Sequence, residues 1–321
     1  MGTSGLLLTW SLIVCGAEPA RPEPSRFVYQ KRCMGVDFTL VLYAMKEKEA
    51  ESASDAAFAT IDRMNDLFSD YDDQSELMRL CRDAKPGKPT RVSSELFEVL
   101  RMSQTISQKS AGAFDATVGP FVQLWRKARR LKRLPTKEQL ESARSAVGYQ
   151  RMRLTDDPRA VELTVPGMRL DLGGIAKGHA AQAALEELRK RGIRSALVNG
   201  SGDIAMGDPP PGREHWRIGV APLDAAAAPS RFLLLSNHAV ATSGDAWRFV
   251  EIEGRRYSHI IDPKTGLGLT RRSSVTVTAP LAGTADALAS AASVLEPSAA
   301  VKLIDRTPDA ACFIVRVENG A

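Results

Sequence analysis

Apolar and polar positions along the chain switch repeatedly between two spacings. The stretch VDFTLVLYAM (36–45) is rich in β-branched and aromatic residues and predicts a strand. Residues 49–71 follow with Ala57, Ile61, Met64 and Leu67 at helical spacing. Ser75 and Ser93 each precede a further helical pattern as N-cap residues, and Gly112 closes the second of these. The segment LWRKARRLKRLPTKEQLESARSAVG predicts more helix, with Pro135-Thr136 opening a new one. From residue 151 strand patterns dominate: MRLT, AVELTV and MRLDL. The helix 175–191 places Ala181, Ala184, Leu185 and Leu188 on one face and stops at Gly192. Strand patterns then run through SALVNG, WRIGVAP, RFLLLSN, AVATSG, FVEIEGRRYSHIID and SSVTVTAP. A helix from Thr284 to Val294, the helix SAAVKLID and the strand ACFIVRV close the chain. Consecutive strands outnumber helix–strand alternations, so the expected class is α+β rather than a doubly wound sheet. There is no internal repeat, and PPPG (209–212) and DAAAAPS (224–230) read as surface loops.

The first residues change the picture of location. An apolar run from Leu6 to Val14 is too short for a bilayer span, which takes about 20 residues, but suits a signal-peptide core. Small residues and the Pro-rich RPEPS follow, so 1–26 is read as signal peptide and linker and 27–321 as one domain. Cys15 after Leu12-Ile13-Val14 loosely matches a lipoprotein processing site. The expectation is export, to the periplasm or the outer face of the cytoplasmic membrane; lipid attachment at Cys15 is the minor reading, since Val14 is bulkier than the small residue usual before such a cysteine. Cys33, Cys81 and Cys312 are widely spaced, form no metal motif and read as free thiols.

A chain of 321 residues with 44% hydrophobic residues can bury a large core, and its net charge of +5 favours anionic ligands without naming one. The run WRKARRLKR (125–133) concentrates that charge, but no aromatic array or nucleic-acid motif accompanies it. It reads as a solvated helix face, and no nucleic-acid partner is expected.

Four stretches can carry chemistry. In DLGGIAKG (171–178) a glycine turn opens a helix, offering backbone N–H groups and the Lys177 charge to an anion beside the Asp171 carboxylate. A strand-to-helix turn also needs glycine for backbone reasons alone. GSGDIAMG (200–207) lacks the helix a dinucleotide fingerprint requires, so Gly200 and Gly202 read as bend residues and Asp203 as a loop-orienting or ligand-binding acid. In GTADALASAAS (283–293) Asp286 and Ser290 are spaced i,i+4, putting two oxygens on one helix face. That suits a hard ion such as Mg²⁺, although an acid in a first helical turn also satisfies the helix dipole. His259 stands on a strand pattern just before the turn Asp262-Pro263-Lys264-Thr265-Gly266, where an imidazole can serve as a base.

Together these stretches resemble the ApbE family of FAD:protein FMN transferases. MGVDFTLVLYA, SDYDDQSEL, GAFDATVGP, DLGGIAKG through LVNGSGDI, and ATSGDAWRF…HIIDPKTG…ADALASA follow in the family's order. The resemblance implies a T-fold-like α+β domain with antiparallel-rich sheets and a ligand cleft between two lobes. It implies that FAD is split at its pyrophosphate, that FMN passes to a threonine or serine hydroxyl of an acceptor protein, and that AMP leaves in a Mg²⁺-dependent reaction. By motif position Met34, Tyr71, Ala113, Phe114, Asp115, Asp171 and Lys177 would contact FAD. Asp286, Ser290 and the Gly174 carbonyl would hold Mg²⁺, and His259 would deprotonate the acceptor. Ser290 stands where the family more often has threonine, Val36 and Ser201 replace a threonine and a glycine, Cys81 replaces an asparagine, and TGLGL lacks a proline. The alternatives from the same residues are a Mg²⁺-dependent FAD pyrophosphatase and a non-catalytic FAD-binding protein.

Overall fold

The computed structural model describes residues 23–224, 226–244 and 249–317. The apolar run Leu6–Val14, Cys15 and the Asp245–Arg248 part of ATSGDAWRF lie outside the described residues. The chain begins with the hairpin β1 (Ser25–Cys33) and β2 (Val36–Ala44), so the first strand starts within the stretch read as linker. Then come α1 (Glu47–Phe68), α2 (Glu76–Asp83), β3 (Thr90–Arg91), α3 (Ser94–Lys109), α4 (Gly119–Leu131) and α5 (Lys137–Arg144). β4 (Met152–Thr155) and β5 (Ala160–Leu163) precede α6 (Ala176–Lys190), β6 (Ala196–Gly200) and β7 (Asp203–Met206). The remainder is β8 (Trp216–Gly219), β9 (Phe232–Leu235), β10 (Ala239–Gly244), β11 (Phe249–Ile252), β12 (Arg255–Ser258), β13 (Ser273–Ala279), α7 (Ala282–Val294), α8 (Pro297–Asp305) and β14 (Ala311–Arg316).

Seven strands form one sheet in the order β1-β2-β6-β7-β10-β13-β14, with every pairing antiparallel. The strands alternate as a two-sided sheet requires. In β2 Phe38, Leu40 and Leu42 are buried in the main core under the helices, while Val41 and Tyr43 face the other way. On that second face the β8–β9 hairpin contributes Trp216 and Ile218 against Leu197, Met206 and Val240. A third small core joins Trp125 and Ala128 of α4 to Val250, Ile252 and Tyr257 of the β11–β12 hairpin.

Helix caps follow the sequence signals. Ser75 and Ser93 accept from Met78 N and Leu96 N, and Thr136 with Gln139 closes a capping box on α5. Two strand readings fail. MRLDL makes no strand: its apolar residues are buried, but it meets the preceding chain through an isolated Val118–Arg169 bridge and the Asp171 N bond to Ala116 O at 2.8 Å. FVEIEGRRYSHIID is a hairpin rather than a single strand, because Glu253 and Gly254 take φ of 52° and 71° and reverse the chain.

Candidate active site

The site gathers at one end of the large sheet. The two-residue turn of the β1–β2 hairpin holds Met34 and Gly35 at φ of 50° and 75°, and the β6–β7 turn holds Ser201 and Gly202 at 59° and 103°. The register Phe38↔Gly200 and Ala241↔Asp203 puts both turns and the end of β10 on the same side. Gly200 has no room for a side chain, since a Cβ there would lie 2.7 Å from the Phe38 ring.

Against this end the helices α6 and α7 touch backbone to backbone. A Cβ on Gly178 would meet the Ala282 carbonyl oxygen at 2.2 Å and Asp286 Cβ at 2.9 Å. This closeness brings Lys177, in the first turn of α6, within 3.6 Å of Asp286 Oδ2 in the second turn of α7. Gly178 N donates to the same oxygen at 3.2 Å. Lys177 Nζ also donates to Asp203 Oδ2 on β7. Both carboxylates are nearly sealed, with side chains 3% (Asp286) and 4% (Asp203) exposed. Burial pushes the Asp286 carboxyl pKa up, and the Lys177 charge and the Gly178 N–H oppose the rise.

One turn further along α7, Ser290 Oγ lies 3.4 Å from Ser243 Oγ of β10. Gly174 packs on the same hydroxyl: a Cβ there would come within 2.9 Å of Ser290 Oγ and 3.3 Å of the Phe114 ring. Lys177, Asp286, Ser290, Gly174 and Phe114 are therefore one cluster. Ala113 is buried beside Phe114. Among the described residues no three His, Cys, Asp or Glu side chains are grouped to hold a metal. The oxygens at hand are the Asp286 carboxylate and the Ser290 and Ser243 hydroxyls, all hard ligands. They fit Mg²⁺, which takes few protein oxygens and completes its shell with water and phosphate.

The helix terminus differs from expectation. Ile175 N and Ala176 N both bond back to Leu172 O, at 3.0 and 2.8 Å, and Gly173 N bonds to Asp171 Oδ1 at 2.8 Å. The Gly173, Ile175 and Ala176 N–H groups, which the glycine turn was expected to offer to an anion, are thus satisfied inside the protein. The positive charge for an anion here comes from Lys177.

Asp171 belongs to a neighbouring corner. Arg126 of α4 donates to Asp70, lies 3.7 Å from Asp171 Oδ2, and stacks its guanidinium 3.9 Å from the Tyr71 ring centroid. Burial, followed by the Asp70 charge, pushes the Asp171 pKa up to about 7. Arg126 was read as part of a solvated face, and this corrects it. The signal was its place beside Phe121, Trp125 and Ala128, the buried stripe of α4, where a long side chain reaches over its neighbours. Asp115 has a different place. Its Oδ1 accepts from Thr117 N and Oγ1 at 2.8 and 2.7 Å, and its Oδ2 accepts from Tyr149 N at 2.9 Å. The carboxylate is committed to tying the Ala113–Thr117 loop to the segment at 149, beneath the site.

His259 sits one residue past β12 instead of within it, and is partly exposed. Its hairpin rides on α4, with Trp125 and Tyr257 ring centroids 5.6 Å apart. Gly268 fits between Ser258 O and the Trp125 ring, where a Cβ would come within 2.3 and 2.8 Å. Helix α4 thus supports the Asp171 corner through Arg126 and the His259 hairpin through Trp125.

The model of the ApbE family matches residues 34–314. An FAD:protein FMN transferase of Haemophilus influenzae is 30% identical over 84% of this chain and 80% of its own length. The crystal structure of the Thermotoga maritima ApbE protein superposes with a TM-score of 0.81 at 29% identity, covering 91% of this chain and 94% of that one. The apo flavinyl transferase ApbE of Pseudomonas stutzeri gives 0.78 at 27% identity, covering 92% and 93%.

Proposed function

This chain belongs to the ApbE family, and we propose that it transfers FMN from FAD to a threonine or serine hydroxyl of an acceptor protein, forming a phosphoester and releasing AMP in a Mg²⁺-dependent reaction. One observation carries the reading: Lys177, Asp203 and Asp286, drawn from two helices and a strand, meet beside Ser290 and Gly174. With both carboxylates ionised, these three side chains sum to one negative charge, an arrangement that attracts a divalent cation more than it attracts a diphosphate alone. Mg²⁺ held by Asp286, Ser290 and the Gly174 carbonyl would supply positive charge against the diphosphate oxygens.

The protein's own groups divide the remaining work. Tyr71 and Phe114 offer ring surface to the flavin, Met34 closes the sheet end, and Asp171 accepts hydrogen bonds from a polar part of FAD. His259 takes the proton of the acceptor hydroxyl, a role worth roughly 10²–10⁴-fold in rate. The hydroxyl oxygen attacks the phosphorus on the FMN side. The bond from that phosphorus to the bridging oxygen breaks, and the oxygen leaves with the electron pair as part of AMP. Lys177 stabilises the negative charge that grows on this oxygen, an interaction stronger in the transition state than in bound FAD.

We place the reaction outside the cytoplasm, on the strength of the apolar run Leu6–Val14. Among the described residues no helix is long and apolar enough to cross a membrane. The test is mass spectrometry of a threonine-bearing acceptor peptide after incubation with the protein, FAD and Mg²⁺. FMN bound covalently to the peptide, absent with Asp286→Ala, is the expected result. Release of free FMN and AMP alone would make the protein a pyrophosphatase, and intact retained FAD would make it a binding protein.

A further inference from the structure

We propose that Arg126 is a positioning residue: it clamps Tyr71 from one side so that the other face of the ring is held ready for a planar ligand. The inference rests on the flavin reading above and extends it to a residue outside the expected site set. Tyr71 stands in the loop between α1 and α2 and is 80% exposed. Its backbone N–H bonds to Ser69 Oγ at 3.2 Å, which fixes the loop but not the ring. The ring is faced by the Arg126 guanidinium at 3.9 Å.

The Arg126 side chain is anchored at its helix and at its tip. Its helix is pinned by the buried Phe121, Trp125 and Ala128, and its Nη2 reaches both Asp70 and, at 3.7 Å, Asp171. A planar fork can pair with carboxylates at its edge while its flat face covers an aromatic ring, and an ammonium cannot do both. The same guanidinium lines a surface pocket of about 320 Å³ with Arg129, Arg130, Lys132 and Phe249, so the clamp borders open, basic space. Arg126 therefore lowers the ordering cost of Tyr71 before a ligand arrives.

The test is titration of FAD, with Mg²⁺ and no acceptor, read by quenching of flavin fluorescence. Arg126→Gln and Arg126→Lys are each expected to weaken binding by about 3–10-fold. Tyr71→Ala weakens it too, and the double variant R126Q/Y71A is expected to bind no worse than Y71A, because the arginine acts through the ring. Wild-type affinity in R126Q, full recovery in R126K, or losses that multiply in the double variant would each overturn the clamp. Wild-type protein that fails to quench FAD would overturn the flavin reading itself, before any variant is compared.

Discussion

At Asp171 burial and the nearby Asp70 carboxylate raise the proton affinity, while the Gly173 N–H and Arg126 lower it, and the pKa settles at about 7. An acid whose pKa is higher in the folded than in the unfolded chain keeps a proton that the unfolded chain has lost. Its contribution to stability is complete below about pH 4 and disappears as pH rises to about 7. Asp171→Asn is therefore expected to flatten the loss of stability between these values by about 1–3 kcal/mol relative to wild type. Urea unfolding at several pH values checks this, and parallel curves for the two proteins would refute it. The same carboxylate was legible in the sequence as a polar residue ending an apolar run. Its partner Arg126 was not, because a helix of arginines and lysines reads as solvated until the helix is packed and one of them is turned inward.

For the elements, the decisive contact is α6 against α7. α7 is buried around nearly its whole circumference by alanines, and Gly178 supplies the missing side chain that lets the two backbones meet. A Cβ there would strike the backbone Ala282 carbonyl, which has no rotamer with which to yield. Gly178→Ala should push the helices apart, costing about 2–4 kcal/mol by overpacking. The displacement separates Lys177 from Asp286, so Mg²⁺ affinity should fall with stability. Thermal unfolding with and without Mg²⁺ separates the two effects, and an unaltered Mg²⁺ response would show that the contact does not position the site. Both helices were apparent from their spacing and end signals. Their contact was not, since neither segment names the other. The lost strand at MRLDL has a similar cause: its residues suit a strand, but the buried chain beside it is a loop.

Across the whole molecule, charge and metal affinity oppose stability. Two nearly buried carboxylates share one lysine, and burial pushes the Asp286 pKa up, so its charge is costly in the fold. Saturating Mg²⁺, at about 100 times its dissociation constant, should stabilise the fold by about 2.7 kcal/mol. Asp286→Asn should abolish that response while leaving the metal-free protein at least as stable as wild type, because a buried charge is removed at similar volume. Melting curves in chelator and in Mg²⁺ measure both quantities. A large loss of stability in the metal-free variant would mean that the Lys177–Asp286 pair supports the fold more than it costs.

The linear order of residues was enough to set the class of fold, the span of most helices and strands, the caps at Ser75, Ser93 and Thr136, and the motif positions of the site. These depend on local spacing and on chemistry carried within a few residues. What only folding decided was which groups meet. Asp203 joins Lys177 because antiparallel pairing brings β7 beside β6 and β10, and Arg126 reaches Asp171 because α4 packs across the corner. The N–H groups of Gly173, Ile175 and Ala176 turned inward, to the Asp171 carboxylate and the Leu172 carbonyl. Such outcomes depend on distances between segments far apart in the chain, which no local pattern records.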